Sequence, residues 1–285
     1  MSPTAGMLEG DRVHGEVAVE KDAKLILSNP TALRIHKMDR HEASWDQQIR
    51  IANGALLESH PQWTIPQAES RFRQTTRMEL SPGSRLFFIK AIAPGRLAFG
   101  ERFVFEHFRS RFKLRYGESL AALENWDLRP TSKTISGRQN CLDTPLYISI
   151  YVSAPELESS DSIFQFIHDL KSDTHISGLS RLGYSPFWNV KLMSPHPVEL
   201  RDALTQISER FYESIGLPVF DLRRWTASPS GTIGRRPGFW LSAMPIFLPL
   251  QTGLRMRNRN LRFSYVQSSG QQNARWPPRF SVHLQ

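Results

Sequence analysis

Cysteine, long apolar runs and, over the last quarter of the chain, acidic residues are scarce or absent. Cys141 is the only cysteine among 285 residues, so the chain forms no internal disulfide and no cysteine-based zinc site. The longest apolar run, 239–250, is interrupted by two prolines and is too short to span a bilayer. Segment 1–21 lacks the apolar stretch of a secretory signal. From these absences we expect a soluble, intracellular (cytoplasmic) protein with no membrane partner.

Recognised catalytic and phosphate-binding motifs are also missing. The sequence contains no P-loop, no G-x-G-x-x-G and no G-x-S-x-G, and its nine histidines show no metal-ligand spacing. His175, in His175-Ile176-Ser177, matches one half of the paired His-x-Ser/Thr signature of 2H phosphoesterases, but the second half is missing. We therefore expect no cofactor and no metal. The sequence favours a non-catalytic protein, with an RNA-processing phosphodiesterase that uses a histidine as the alternative.

Positive charge is concentrated in two zones of the chain. Segment 222–285 contains no Asp or Glu and ten basic residues, all of them arginine. Segment 85–117 holds eight basic residues against Glu101 and Glu106, whereas the net charge of the whole chain is only +9. Clustered positive charge favours an anionic partner, and guanidinium groups bind phosphate bidentately. A GC-rich genome would also favour arginine over lysine, but it would not remove the acids.

Residues 1–130 show a mixture of helical and strand patterns. The periodicities predict a strand at 13–19, helices at 42–58 and 64–78, and a strand, turn and strand over 85–100. Segment 101–117 is ambiguous and, as a helix, would gather four apolar residues on one face. Segment 127–145 lacks periodicity and contains Pro, Ser, Thr and Gly, which predicts a domain boundary. We expect a mixed α/β N-terminal domain over 1–130 and a second domain over 145–285.

The second half of the chain has a more regular pattern. Apolar periodicities predict the order β-α-β-β-α-β over 145–225, which is the ferredoxin-like arrangement. Leu204 and Phe211 of the second helix should be buried against the sheet. Right-handed crossovers would put both helices on one face and leave the other face open, a common platform for RNA. The predicted fold class is therefore α+β, with a ferredoxin-like C-terminal half.

An arginine-rich hairpin is predicted to follow this domain. Arginines occupy the odd positions of 254–257, whereas apolar side chains occupy the odd positions of 261–265. The pattern inverts across Asn258-Arg259-Asn260, and asparagine tolerates the positive φ of tight turns. We therefore expect an appended β-hairpin with arginines at or near its tip.

Two aromatic segments on the predicted sheet suggest base stacking. "LYISIY" (146–151) begins like the shorter aromatic motif of RNA-recognition domains, and "RLGYSPFWNV" (181–190) echoes the longer one. Tyr147 and either Phe187 or Trp188 would be the stacking residues. The alternative is that these aromatics are ordinary sheet residues packed against the N-terminal domain.

The element order, the segment "SGLSRLG" (177–183) and the arginine-bearing hairpin after "RPGFW" (236–240) together resemble the repeat-associated (RAMP) proteins of CRISPR systems. The resemblance implies a ferredoxin-like subunit that binds RNA within a ribonucleoprotein.

We therefore predict a nucleic-acid-binding protein, a non-catalytic subunit of a ribonucleoprotein whose partners are RNA or single-stranded DNA and other protein subunits. A structural protein that docks an acidic protein partner through the same arginines is a further alternative. The residues predicted to bind nucleic acid are Arg109, Arg111, Lys113, Arg115, Tyr147, Trp188, Arg235, Arg236, Arg255, Arg257, Arg259 and Arg262.

Overall fold

Two large β-sheets and two α-helices make up the described part of the chain. The computed structural model describes residues 6–28, 31–60, 63–130, 146–157, 161–170, 175–182, 186–218, 241–242, 261–265 and 279–284. Seventeen strands lie in these ranges, ten in one sheet and seven in the other.

The first eleven strands are β1 (Gly6–Met7), β2 (Arg12–Val19), β3 (Lys24–Ser28), β4 (Leu33–Ile35), β5 (Ala43–Ile51), β6 (Leu56–His60), β7 (Thr64–Pro66), β8 (Arg71–Leu80), β9 (Arg85–Ile92), β10 (His107–Tyr116) and β11 (Ser119–Leu128). The remaining elements are β12 (Leu146–Ser153), α1 (Asp161–Asp169), β13 (Ile176–Arg181), β14 (Phe187–Ser194), α2 (Pro197–Ser214), β15 (Leu241–Ser242), β16 (Leu261–Tyr265) and β17 (Arg279–Leu284).

The N-terminal strands stack in parallel, as the coils of a β-solenoid do. Strands β2, β5, β8 and β10 are in-register neighbours in the seven-stranded sheet, while β3, β6 and β9 stack in the ten-stranded sheet. One row across the first stack consists of Val17, Ile49, Met78 and Leu114, all buried. Each coil buries its apolar side chains on the coil beside it, so the stack forms a continuous core between the two sheets.

Equivalent turns join successive strands of the two stacks. Each turn has one residue with positive φ at its third position: Asp22 (61°), Gly54 (71°) and Gly83 (77°). Glycine adopts this left-handed conformation without steric cost, whereas aspartate is one of the few other residues that tolerate it. A Cβ on Gly54 would also lie 2.0 Å from the carboxylate Oδ1 of Asp22 in the neighbouring turn. The turns are therefore stacked closely, one on the next.

Helices α1 and α2 cover the outer face of the ten-stranded sheet. Strands β9, β12, β14 and β13 are antiparallel neighbours there, and their helix-facing side chains form one cluster with Leu200, Ile207 and Phe211 of α2. Phe211 is buried as predicted, while Leu204 is half-buried at the edge of the same cluster. Among the residues that the structure describes, no helix is long and apolar enough to cross a membrane.

The prediction of a ferredoxin-like α+β fold is wrong. The element order from β12 to α2 is present, but β9 from the N-terminal half occupies the position beside β12 that a fourth ferredoxin strand would take. The face expected to be open is covered by the seven-stranded sheet, because β12 contributes Tyr151 to the core between the sheets. The expected RNA platform therefore does not exist.

The N-terminal helices predicted at 42–58 and 64–78 are also wrong, since these segments form β5, β6, β7 and β8. Residues four apart lie on one face of a helix and also on one face of a strand. The helical spacing at 42–58 also includes a step of three from Ile49 to Ala52, but the chain turns there between β5 and β6, so the spacing does not belong to one element. Stacking on neighbouring coils favours strands. The ambiguous segment 101–117 contains strand β10 (His107–Tyr116) and no helix.

Other expectations have separate outcomes. The strands predicted at 13–19 and at the start of 85–100 are confirmed as β2 and β9, but a short 3-10 turn at Leu97–Phe99 replaces the second strand. The hairpin turn at 258–260 lies outside the described residues, and β16 pairs with β17. The division into 1–130 and 145–285 stays a prediction.

Candidate functional site

A buried carboxylate, Glu124 of β11, joins the two sheets. Its oxygens accept hydrogen bonds from Lys90 Nζ at 2.6 Å, Tyr151 Oη at 3.0 Å and Trp126 Nε1 at 3.1 Å. Tyr147 Oη at 3.3 Å and Lys191 Nζ at 3.4 Å complete the set. Lys90, Tyr147, Tyr151 and Lys191 belong to the ten-stranded sheet, whereas Glu124 and Trp126 belong to the other. We call these six residues the Glu124 cluster.

Burial and charge act in opposite directions on the Glu124 cluster. Burial alone would raise the pKa of Glu124, but Lys90, Lys191 and Tyr151 together lower it below its ordinary value. Burial lowers the pKa of Lys90, and the attraction of Glu124 opposes that change without cancelling it. Burial and the nearby Glu124 carboxylate both raise the pKa of Tyr151. The cluster therefore holds a charged pair, Glu124 and Lys90, in a place where an unpaired charge would be costly.

A second buried carboxylate, Glu58 of β6, links the ten-stranded sheet to helix α2 by a hydrogen bond. Glu58 is only 2% exposed, and Tyr212 Oη donates a hydrogen bond to it from α2. The ring of His60 contacts the other carboxylate oxygen. Burial is the larger cause of the raised pKa of Tyr212, and the nearby Glu58 carboxylate raises it further. Glu58, His60 and Tyr212 thus connect helix α2 to strand β6, as the Glu124 cluster connects the two sheets.

The two predicted stacking residues lie on opposite faces of the ten-stranded sheet. Tyr147 of β12 faces Glu124 and Trp126 between the sheets, with its ring centroid 4.6 Å from that of Trp126. Trp188 of β14 is buried on the helix side, where its Nε1 donates to the Leu157 carbonyl. Phe187, the other candidate, packs between the sheets. Tyr147 and Trp188 therefore do not form a common stacking surface.

The cations predicted on β10 share one face. Phe108, Ser110, Phe112 and Leu114 of this strand are buried, so the alternate residues point outward. These outward residues are Arg109, Arg111, Lys113 and Arg115. The sequence left this segment ambiguous between helix and strand, and the role of the four cations in binding stays a prediction.

Acidic partners are unevenly distributed over this outer face. Arg109 pairs with Asp127 at 3.6 Å, and Arg115 pairs with Glu118 at 3.8 Å. No ion pair within the described ranges includes Arg111 or Lys113, nor Arg77 of the adjacent strand β8. Two large apolar side chains on β11, Leu120 (45% exposed) and Leu123 (55%), complete the surface.

A polar groove lies on the same sheet. It is lined by Arg12, His14, Glu42, Asp46 and Arg73, among others. Here the charges are paired, since Arg73 contacts both Asp46 at 3.2 Å and Glu42 at 3.4 Å. The groove therefore has little uncompensated charge with which to attract an ion.

The predicted arginines between 235 and 262 have no described side chains. Arg235, Arg236, Arg255, Arg257 and Arg259 lie outside the described residues, and for Arg262 only the strand β16 is described.

His175 begins the segment that leads into β13, and no second histidine of a 2H pair was found in the sequence. Within the described ranges, no group of three His, Cys, Asp or Glu side chains is placed to hold a metal ion. The expectations of no metal, no cofactor and no catalysis stay predictions.

Neither buried carboxylate site is among the residues predicted from sequence. One signal was available, because Lys90 interrupts an otherwise apolar strand, "LFFIKAI" (86–92), and a lone charge in a buried strand needs a partner. Its partner, Glu124, lies 34 residues further along the chain, and no local pattern connects the two.

Comparisons with known proteins identify the family. A family model described as UreD urease accessory protein matches residues 1–226. A urease accessory protein UreD of Opitutus terrae is 30% identical over 230 residues, which cover 79% of this chain and 82% of that protein. One of Natronomonas pharaonis is 27% identical over 76% of this chain and 74% of its own length. A urease accessory protein UreH of Helicobacter hepaticus is 32% identical over 46% of this chain and 52% of its own length.

These matches overturn the resemblance to CRISPR RAMP proteins and the prediction of an RNA- or DNA-binding subunit of a ribonucleoprotein. The clustered arginines were a general signal for an anionic partner, and they did not specify nucleic acid. The assignment of the twelve residues to nucleic-acid binding therefore loses its basis, although no observation tests whether they contact another partner. The chain belongs to the UreD family of urease accessory proteins.

Proposed function

We propose that this protein is an accessory factor for urease and that it acts by binding other proteins, not by catalysing a reaction. The observation that carries the proposal is the family match over residues 1–226, which spans β1 to β14 and both helices. The double-sheet body is therefore the part of the chain that is similar to proteins named for their role in assisting urease.

The geometry of the polar groups supports a binding role. The most deeply buried charges are Glu124, Lys90 and Glu58. Their hydrogen bonds join sheet to sheet or helix to sheet. Groups held in this way are positioned for stability. The uncompensated charge lies instead on the outer surface, where it is available to a partner.

Urease activation in cells tests the proposal. The urease genes of the source organism, with the other urease accessory genes, would be expressed with and without this chain. We expect urease activity only in the cells that contain the chain, at equal amounts of urease protein on an immunoblot. Equal activity without the chain would contradict the proposal.

We further propose that the protein works in the cytoplasm. The single cysteine supports this location, because the fold needs no disulfide and so does not depend on an oxidising compartment. Cell fractionation with a periplasmic and a cytoplasmic marker would test it, and recovery with the periplasmic marker would exclude it.

A further inference from the structure

We propose that the outer face of strands β8, β10 and β11 is a docking surface for an acidic protein segment that carries apolar side chains. We call it the β10 face and define it by Arg77, Arg111, Lys113, Arg115, Leu120 and Leu123. The inference rests on the proposed function, because it assigns a surface and a chemistry to one of the protein contacts of an accessory factor.

Like charges face each other across strands β8 and β10. In the register of the parallel pair, Lys113 of β10 lies directly opposite Arg77 of β8. Like charges in directly opposite positions destabilise a sheet. The only outward residue between Arg111 and Arg115 on β10 is Lys113, so the cations continue along the strand. Carboxylates of a partner that lie across this surface would relieve the repulsion between the cations, and this favours binding.

The middle of the β10 face differs from the rest of the sheet in its ion pairs. Arg73, Arg109 and Arg115 each have an acidic neighbour within 4 Å. Arg77, Arg111 and Lys113 form no ion pair within the described residues. Positive charge is therefore left uncompensated on the middle of the face, where it is complementary to an acidic segment.

Two exposed leucines lie beside the cations of the β10 face. Leu123 is in register with Lys113, and Leu120 with Arg115, so each leucine lies beside a cation on the outermost strand of the sheet. Both are about half exposed, although most leucines of the chain's described strands are buried. A partner that covers them needs apolar side chains next to its carboxylates, which is a property of protein segments.

The same features disfavour nucleic acid as the occupant. Proteins that bind single strands combine cations with aromatic side chains on which bases stack. The outward residues of β8, β10 and β11 include no Phe, Tyr or Trp, since Trp126 and Tyr116 point inward. The ring of His107, at the start of β10, is only 15% exposed and contacts Asp127. The apolar groups that this face presents are leucines.

Fluorescence anisotropy with a defined probe tests the docking surface. The probe is a short fluorescein-labelled peptide of glutamate residues with two leucines, titrated with the purified full chain. Two control peptides have the leucines replaced by serine or the glutamates replaced by lysine. We expect the glutamate–leucine peptide to bind more tightly than both controls, with an affinity that falls as salt is added.

Variants then locate the binding. Arg77→Glu and Leu123→Ser should each weaken binding by about tenfold, since each removes a charge or an apolar contact from the centre of the face. Arg201→Glu, a charge reversal at an exposed position of α2, should leave the affinity unchanged. Arg77→Glu should not lower the melting temperature, because the introduced carboxylate would face Lys113 with opposite charge. A loss of affinity caused by misfolding would be accompanied by a lower melting temperature.

Three results would overturn the inference. They are absence of binding by the glutamate–leucine peptide, equal binding by the wild type and both face variants, and tighter binding of a labelled oligouridine that depends on Arg77. None of them involves urease. A chain that binds the peptide but fails to activate urease would contradict only the proposed function, and a chain that activates urease but ignores the peptide would contradict only the docking surface.

Discussion

The inner and outer faces of strands β10 and β11 carry charge in opposite ways. Between the sheets, Glu124 of β11 is 10% exposed and accepts hydrogen bonds from five side chains, two of them lysines. On the solvent side, Lys113 of β10 faces Arg77 with no ion pair for either within the described residues. The inner charges have partners, whereas on the outer face Arg109 and Arg115 have acidic partners but Arg77, Arg111 and Lys113 form no ion pair within the described residues. This contrast separates charges that hold the fold together from charges available to a partner.

Burial explains why the two faces differ. A charge removed from water costs several kcal/mol unless a partner compensates it, so an interior charge survives only when paired. At the surface, water screens repulsion, and two neighbouring cations cost little. Uncompensated charge can therefore persist only on the outer face. The following predictions test this distinction, from the largest expected effect to the smallest.

Glu124→Ala should reduce the free energy of unfolding by about 3–5 kcal/mol, because it leaves Lys90 buried without its counter-charge. Urea denaturation measures this loss. Glu118→Ala is the matched control, since the Glu118 side chain on the adjoining turn is fully exposed and its removal should change stability by no more than about 0.5 kcal/mol. Similar losses in the two variants would remove the distinction between the faces.

Ile207→Ala in helix α2 should cost about 2–5 kcal/mol, the range for removing a buried aliphatic side chain. Leu204→Ala should cost less, because Leu204 is only half-buried against the same cluster. Both substitutions are measured by the same urea titration, and isoleucine and leucine differ in helix propensity by only about a few tenths of a kcal/mol. A larger cost at Leu204 would mean that the packing of α2 on the ten-stranded sheet is wrong.

Stability should depend on pH through Glu124. Its pKa is lowered in the folded state, so its contribution is present above the pKa of about 4.3 of an unfolded glutamate and is lost as pH falls through the folded pKa. Between about pH 5 and pH 3, Glu124→Gln should therefore lose less stability than the wild type does. Parallel curves of unfolding free energy against pH would contradict the direction of the shift. Other carboxylates contribute equally to both proteins, so the difference between the curves isolates Glu124.

Arg77→Glu should leave the free energy of unfolding unchanged or raise it by about 0.2–1 kcal/mol, since a repulsive cross-strand pair becomes an attractive one. Thermal melts at low and high salt measure the change, and the gain should shrink as salt rises. A clear destabilisation would show that Arg77 has a structural role on the outer face.

The second half of the chain was the more predictable from sequence. Helix α2 has Leu200, Ile207 and Phe211 at helical spacing, and strands β12 and β14 were located because β-branched and aromatic residues dominate them. Which strand would lie beside β12 was not predictable. The answer, β9, lies more than fifty residues earlier in the chain, and local patterns carry no information about such pairing.

The first half was not predictable from sequence, because its coils share a backbone geometry but almost no residue pattern. The turns around Asp22, Gly54 and Gly83 are equivalent, yet their sequences "KDA", "NGA" and "PGS" share only a small residue after a residue that tolerates positive φ. Their spacing of about thirty residues is typical of solenoid coils. The cations of β10 are visible in the sequence, but positive charge alone indicates an anion and does not distinguish phosphate from carboxylate.

Urease activation by the Arg77→Glu variant tests the central claim most directly. The urease of the source organism would be expressed with its other accessory genes and with either the wild-type chain or this variant. If the outer charges serve partner binding, urease activity should fall by about tenfold while the variant accumulates and melts like the wild type. Full urease activity with the variant would contradict the claim that the β10 face is where this protein meets a partner.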